Sequence, residues 1–193
     1  MTAVLTRLTP ADYVATAWSG GTTTQLAIAP EGAVYARRDF LWRVSSATVE
    51  LDESDFTALP DYDRLISTVR GEMTLSHNGG AALTLRPGDV HAFDGGDRTH
   101  ARGRCTDFNL MTRKGAVTGA MSALRVDARG ASLPCRADET ALLYCARGAC
   151  TLRCGAETLS LGAGDSALVR GAAEAVNLSG DADVYVARAR VTG

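Results

Sequence analysis

Apolar and polar residues alternate along much of the chain, with the two-residue period of β-strands. The strand-like runs are short, and glycine-containing turns follow them at frequent intervals. In two of these runs Met73/Leu75 and Cys150/Leu152 occupy the positions expected to face a core. A single short helical turn is predicted at Thr9–Tyr13, where a threonine cap precedes a proline. This pattern predicts an all-β sandwich or barrel.

The same succession of strands and turns occurs twice. The first copy reads VRGEMTL and then LTLRPGD within residues 69–89, and the second reads ARGACTL and then LSLGAGD within residues 146–165. The central glycine of each copy, Gly71 or Gly148, is expected to have a positive φ in a hairpin, and each Gly-Asp pair marks a second tight turn. An internal repeat of this kind indicates two similar halves. A generic duplicated β-sandwich is the alternative.

The repeat also indicates where the two halves divide. We predict an N-terminal half over residues 1–115 and a C-terminal half over residues 116–193. The stretch from Gly115 to Arg136 is rich in small residues and is expected to carry the chain from one half to the other. Each half would then be a small β unit with its own interior.

Charge and hydropathy exclude several classes of partner. The formal net charge is −2, so nothing indicates binding to nucleic acid. No run approaches the ~18 apolar residues that a membrane helix needs, and the first residues lack the uninterrupted apolar core of a secretory signal. We therefore expect a soluble, cytoplasmic protein with no membrane partner.

The five cysteines are predicted to be reduced thiols, because their number is odd and the chain has no CxxC motif. Cys145, Cys150 and Cys154 are clustered, so a zinc site is the alternative. The second half has no histidine, and Cys150, Leu152 and Cys154 alternate as inward strand positions do. Core packing is therefore the preferred interpretation.

The glycine and Gly-Asp arrangement resembles the cupin superfamily, whose jelly-roll barrels often hold a metal through an HxH pair, a glutamate and a third histidine. If Gly71 ends the first cupin motif, the glutamate position falls on Arg64, and the HxH positions fall near Thr57–Pro60, where there is no histidine. The third position falls on Thr99, and Ala141 takes the glutamate position in the second half. One neighbouring imidazole cannot form a three-ligand site. We predict neither a metal nor another cofactor.

A narrower resemblance covers most of the N-terminal half. The segments DFLWRVS, DR, FDGGD and DFNLM resemble the HutD/Ves family. This resemblance implies a bicupin, with two jelly-roll β-barrel halves in one chain and the ligand pocket in the first. It also implies an accessory or regulatory role in histidine utilisation or stress response, without established enzymatic activity. The segment WSGGTTTQ over residues 18–25 departs from the family, which usually has an asparagine before the glycines and a closing glutamate.

Arg64 is the principal candidate for ligand binding. A guanidinium in place of a metal-holding carboxylate reverses the sign of the pocket and favours a carboxylate ligand, which its planar fork can pair with. A surface ion pair with Asp61 or Asp63 is the alternative. Arg43 and Ser45 share one face of a predicted strand and would add donors if that face is inward.

Asp107 and Asn109 likewise share one strand face, opposite Phe108. Polar side chains that face an interior need protein partners or a ligand, because leaving them bare is costly. We expect these two residues to orient the ligand. An ion pair of Asp107 with Arg43 or Arg64 would satisfy the carboxylate without one.

The remaining candidate binding residues are Trp18, Thr22, Thr23 and His91. The loop from Trp18 to Thr23 offers hydroxyls and backbone N–H groups that could cradle an anion, and an ordinary loop entering a strand is the alternative. His91 follows the first Gly-Asp turn, but a lone histidine is more often structural than functional. His77 precedes a polar turn and is expected to be exposed.

The sequence thus predicts a metal-free protein that binds a small carboxylate, such as urocanate, formylglutamate or formiminoglutamate. No catalytic residue is predicted, because no nucleophile–base pair is evident from spacing. A metal-independent isomerase or hydrolase that uses His91 or His100 as acid and base is the alternative. A scaffold with a filled interior is the third hypothesis, and strand-edge pairing would allow a homodimer in each case.

Overall fold

A computed structural model describes residues 3–171 and 174–192, which form an all-β protein. The first eleven strands are β1 (Val4–Leu8), β2 (Val14–Trp18), β3 (Gly21–Ala29), β4 (Trp42–Val49), β5 (Glu53–Asp55), β6 (Tyr62–Arg70), β7 (Met73–His77), β8 (Leu83–Leu85), β9 (Val90–Asp94), β10 (Thr99–Arg102) and β11 (Cys105–Arg113). The other six are β12 (Val117–Val126), β13 (Ala131–Leu133), β14 (Glu139–Cys154), β15 (Glu157–Gly162), β16 (Ser166–Arg170) and β17 (Val176–Val191).

Helical structure in the described residues is limited to two short 3₁₀ turns. They are Pro10–Asp12, which confirms the predicted helical turn, and Tyr35–Arg37. Neither is long or apolar enough to cross a membrane. The all-β prediction is therefore confirmed.

The chain divides into two compact units. Among the described residues, one unit comprises those up to Tyr13 together with Ala120–Val191, and the other comprises Val14–Gly119 with Thr192. Strand β1 pairs with β16, which places Val4–Leu8 in the C-terminal unit. The predicted division near residue 115 did not anticipate that β1 belongs to the C-terminal unit. This pairing has a physical reason: β1 covers the edge of β16, and an uncovered strand edge has unpaired N–H and C=O groups.

The unit Val14–Gly119 contains two sheets. The six-stranded sheet has the order β2-β3-β4-β11-β6-β9, and the four-stranded sheet has the order β5-β10-β7-β8. Val49 and Ile66 of the first sheet pack against Met73, Leu75 and Leu85 of the second in one buried cluster. The two sheets therefore face each other across an interior, and the described hydrogen bonds close neither sheet into a barrel.

The C-terminal unit is built on a seven-stranded sheet with the order β1-β16-β14-β17-β12, to which β13 and β15 add at β17 and β14. Its interior is a large apolar cluster that includes Cys145, Cys150 and Cys154 as free, buried thiols, as predicted. The expected linker from Gly115 to Arg136 is instead mostly strand, in β12 and β13. Small residues alternate there with apolar ones, so the segment can pair in a sheet despite its composition.

The two repeated glycines have the predicted positive φ, but neither lies in a simple hairpin. Gly71 has a φ of 76° and joins β6 to β7, which belong to different sheets. Gly148 has a φ of 77° and lies inside the continuous strand β14, near a register shift between Cys145 and Arg147. Each glycine lets the chain change direction sharply, which a residue with a Cβ could do only under strain.

Candidate functional site

Strand register brings two arginines to one face of the six-stranded sheet. Arg43 of β4 and Arg64 of β6 both pair with Met111 of β11, the strand between them. Directly paired residues share a face, so the two arginine Cα atoms lie about two strand spacings, or ~10 Å, apart. Ser45 pairs with Asn109 on the same face. This is the face that packs against the four-stranded sheet, so all these side chains point into the interior.

Arg64 is buried, with 7% of its surface exposed. Its guanidinium carbon lies 4.7 Å from the ring centre of Phe56 and 5.1 Å from that of Phe93. With the Asn109 amide oxygen turned toward it, Arg64 Nη2 donates a hydrogen bond of 3.0 Å, and the amide nitrogen donates to the Leu65 carbonyl. The Nε of Arg64 is buried without a hydrogen-bond partner among the described residues. The alternative of a surface ion pair with Asp61 or Asp63 is therefore wrong.

Arg43 is equally buried but better satisfied. Its Nε donates to Oε1 of Gln25 at 2.8 Å, and its Nη1 donates to the Ser45 hydroxyl at 3.2 Å. The guanidinium also lies over the ring of Tyr35, at 4.4 Å from the ring centre. Desolvation lowers the pKa of Arg43 from its ordinary value, with the nearby charge of Arg38 acting in the same direction.

Asp107 is the acidic residue that lies on this face with the arginines. The alternative of an ion pair with Arg43 or Arg64 is wrong, since no carboxylate oxygen among the described residues lies within 4.0 Å of either guanidinium. Oδ1 of Asp107 instead accepts a hydrogen bond of 3.0 Å from the backbone N–H of Ala47. Burial raises the pKa of Asp107 to about 6, and the Ala47 N–H and the two arginine charges only partly oppose this rise.

The charges of this interior do not balance. Desolvation lowers the pKa of Arg64 to about 10, so both guanidiniums are cationic at neutral pH. One carboxylate faces two buried cations, and it contacts neither. Buried cations normally have ion-pair partners, because an uncompensated charge in a low dielectric is costly. The missing negative charge identifies this interior as a candidate anion site.

His91 lies on the same inner face, beside an unexpected second histidine. It pairs with Ile66, next to the pairing of Phe93 with Arg64. Its Nε2 lies 2.9 Å from Nε2 of His77, whose Nδ1 lies 2.8 Å from the Thr99 hydroxyl. His77 is therefore partly buried, and the prediction that it is exposed is wrong.

The third histidine points the other way. His100 pairs with Ser76 on the outer face of the four-stranded sheet, and its side chain contacts Asp55 and Glu53. The structure therefore separates His100 from the arginine pair, whereas Phe93 contacts both Arg64 and the two inner histidines.

The predicted anion-binding loop is a tight hairpin. Trp18 ends β2 and pairs directly with Gly21 at the start of β3, so the backbone groups of Thr22 and Thr23 belong to the sheet ladder. Trp18 is 39% exposed and its ring lies against Gly20. Thr22 is exposed, whereas Thr23 pairs with Ala47 on the inner face. The predicted anion-binding loop therefore does not form a cradle beside the arginines. The backbone N–H groups of Thr22 and Thr23, which were expected to be free for a ligand, belong to the ladder of the sheet.

The side chains at the usual cupin ligand positions do not fit a metal ion. The cation of Arg64 replaces the acid, and like charges repel. Thr99 is a buried hydroxyl bound to His77, and Leu59 of the expected HxH segment packs in an apolar cluster. His77 and His91 offer two imidazoles without a third ligand. Within the described ranges no group of three His, Cys, Asp or Glu residues is placed to hold a metal.

Several residues of this interior were not candidates in the sequence. Gln25, Tyr35, Phe56, Phe93 and His77 come from five separate segments and meet only in the fold. Gln25 was visible as a departure from the family pattern, which was a usable signal. The aromatic residues gave none, because a ring in an all-β chain is more often plain core.

A surface depression of about 520 Å³ lies elsewhere in the same unit. Its lining consists of Asp63, Thr112, Gly115, Val117, Thr118, Gly119 and Thr192. It includes no buried cation and none of the candidate residues. The arginine pair lies outside this depression, and Arg43 and Arg64 each have only 7% of their surface exposed.

Comparison with known proteins places the chain in a family. A model of the HutD family matches residues 10–186, which is most of the sequence. The chain belongs to the HutD family. The prediction of HutD/Ves membership is therefore confirmed. The search of curated proteins gave no match.

Solved structures with the same fold include two from Pseudomonas. A conserved protein of unknown function from Pseudomonas aeruginosa PAO1 is 24% identical, with a TM-score of 0.83 over 98% of this chain and 100% of its own. HutD from Pseudomonas fluorescens SBW25 is 22% identical, with a TM-score of 0.80 and the same coverage. A vicilin from Solanum melongena, described with different anionic ligands in structurally similar pockets, is 10% identical, with a TM-score of 0.63 over 95% of this chain and 84% of its own. The fold of this HutD-family chain is therefore cupin-like.

Proposed function

We propose that the unit Val14–Gly119 binds a small carboxylate metabolite between Arg43 and Arg64, without a metal. In this proposal the chain is an accessory or regulatory protein of histidine utilisation, and the ligand belongs to the urocanate or formylglutamate class. The two units correspond to the two halves of a bicupin, and the C-terminal half is structural. Membership of the HutD family suggests the pathway, and the two buried arginines suggest that the ligand is negatively charged.

The single observation that supports this proposal is the state of Arg64. Within residues 3–171 and 174–192, its buried Nε has no hydrogen-bond partner, and no acid lies within ion-pair distance to neutralise its charge. A carboxylate oxygen at Nε would restore the missing hydrogen bond and the missing charge together, with the charge-assisted geometry that guanidinium favours. No apolar ligand or metal cation would do either.

The surrounding residues indicate how such a ligand would be oriented. Asn109 holds Nη2 of Arg64, and Gln25 and Ser45 hold Arg43, so both guanidiniums are fixed before a ligand arrives. Preorganised donors reduce the entropy that binding costs. Tyr35 lies over Arg43, with the guanidinium carbon 4.4 Å from the ring centre.

The test is a thermal-shift panel of urocanate, formylglutamate and formiminoglutamate on the wild type and on Arg64→Ala. At about 100 times its Kd a ligand adds about 2.7 kcal/mol to the folded state, which gives a measurable rise in Tm. We expect at least one acid to stabilise the wild type and none to stabilise Arg64→Ala. Binding energy falls in the variant because the unpaired guanidinium is gone.

Arg98→Ala is the matched control, since Arg98 is an exposed arginine of the same unit. It should respond to the acids as the wild type does. A wild type that no acid stabilises, or an Arg64→Ala variant with an unchanged response, would contradict the proposal.

A further inference from the structure

Asp107 has an unusual position in this interior. It lies on β11, between the strands that carry Arg43 and Arg64, and is buried without an ion pair to any residue that the structure describes. The other titratable group on the same strand face is the Cys105 thiol, whose pKa burial and the charge of Asp107 raise. A carboxylate held near two guanidiniums by one backbone N–H is sensitive to any further charge placed among them.

Among the described residues, the remaining neighbours of Asp107 supply no competing acid. From β4 and β6 the charged groups are the two arginines, and β3 contributes the neutral Gln25. The four-stranded sheet packs against Val49 and Cys105 with the apolar side chains of Met73, Leu75, Leu85 and Ala101. The inner histidines, His77 and His91, contact each other and Phe93.

We propose that Asp107 takes up a proton when a carboxylate ligand binds between Arg43 and Arg64, so that binding is coupled to protonation. This inference rests on the proposed function. The bound anion repels the Asp107 carboxylate in a site from which water is largely excluded. Protonation removes this repulsion and leaves both guanidinium charges for the ligand.

The direction of the coupling follows from linkage. A bound anion raises the pKa of a neighbouring acid, and reciprocity requires protonation of that acid to tighten anion binding. Because burial has already raised the pKa of Asp107 to about 6, the coupled proton is exchanged in the neutral range. Affinity should therefore rise as the pH falls from 8 to 6.

The experiment is calorimetric titration of the full chain with N-formyl-L-glutamate at pH 6, 7 and 8. The carboxyl groups of this probe stay ionised throughout, because ordinary carboxyl pKa values lie near ~4. We expect a roughly tenfold gain in affinity between pH 8 and pH 6, where linkage allows no more than tenfold per pH unit for one proton. Titration at pH 7 in two buffers of different ionisation enthalpy should show proton uptake.

Asp107→Asn keeps the shape of the side chain and its acceptor for the Ala47 N–H. It should bind the probe with the same affinity at all three pH values and without proton uptake. Asp61→Asn, which neutralises an exposed acid of the same unit, is the matched control and should keep the wild-type pH dependence. If Asp107→Asn does not fold, carbon-13 NMR of the Asp107 carboxyl should show a higher pKa with the probe than without it.

The outcomes separate the two proposals. If the probe binds equally tightly from pH 6 to pH 8, or if Asp107→Asn keeps the wild-type slope, the anion site stands and Asp107 is not the coupled group. A slope that persists in Asp107→Asn would assign the proton to His77 or His91. If no acid binds the wild type at any pH, the proposed anion site fails and the coupling fails with it.

Discussion

The two units share the Gly-Asp turn of the sequence repeat, but one has a charged interior and the other has an apolar interior. At the position where the first sequence copy has Arg64, the second has Ala141, and His91 corresponds to Ala167. Both alanines lie in the apolar cluster of the C-terminal unit, with 1% and 0% of their surfaces exposed. The same kind of strand position thus carries a buried cation in one unit and a methyl group in the other.

The Gly-Asp turns of the two copies have nearly the same geometry. Gly88 and Gly164 both have a φ of 92°. The aspartate that follows each glycine accepts a hydrogen bond of 2.9 Å from a backbone N–H three residues earlier. A short polar side chain that closes its own turn is a local device, so it is retained whichever side chains fill the interior.

The difference between the two interiors indicates that they contribute differently to the stability of the protein. An interior of leucine, valine, alanine and cysteine gains free energy from each apolar side chain that it removes from water. Buried guanidiniums lose hydration, and replacing such groups by apolar ones is often neutral or stabilising. The arginine interior is therefore not explained by stability alone, which is why we propose that the ligand binds in that unit.

We expect the largest effect on stability from Ala141→Arg, which places an arginine at the equivalent position of the apolar interior. The new guanidinium would enter an apolar cluster without the amide and aromatic partners that Arg64 has. We expect a loss of at least about 4 kcal/mol in the free energy of unfolding, or failure to fold. Urea unfolding measures it, and Ala141→Met controls for size with an expected loss of about 1–3 kcal/mol. A stable Ala141→Arg would show that either interior accepts the cation.

Asp107→Asn without ligand should sharpen the contrast by removing the buried acid. The pKa of about 6 in the folded chain exceeds the ~3.9 of an unfolded aspartate. Stability from the protonated acid is therefore complete below pH ~4 and is lost as the pH rises through 6. The variant lacks this loss and should exceed the wild type at pH 8 by at most about 3 kcal/mol. Urea midpoints at pH 4, 6 and 8 test this, and a constant difference across pH would contradict it.

We expect the smallest effect from substitutions at the two repeated glycines, which the units have in common. Gly71→Ala and Gly148→Ala each add a Cβ at positive φ. The first Cβ would lie 2.6 Å from the Arg104 carbonyl oxygen, and the second would overlap the Asp181 carbonyl oxygen. We expect each to lower the free energy of unfolding by about 2 kcal/mol, because backbone strain adds to the clash. Thermal unfolding measures both. A loss confined to one variant would show that the repeated glycines are not equivalent.

Much of the local structure was predictable. Alternation identified Met73 and Leu75, or Cys150 and Leu152, as inward pairs, and all four are buried. The same rule put Arg43 with Ser45 on one strand face, but it could not tell whether that face was inner or outer. That choice depends on which sheet covers the strand, and the chain segments that decide it are distant in sequence.

The sequence by itself determined the all-β class, the repeated turns, the family and the presence of an arginine where cupins usually keep an acid. These features depend on local backbone preference and residue identity. Only the tertiary structure decided that Arg64 is buried beside Arg43, that Asp107 pairs with neither, and that His77 meets His91. Such contacts depend on register between distant strands, and burial makes a residue's charge matter far more than it would in water.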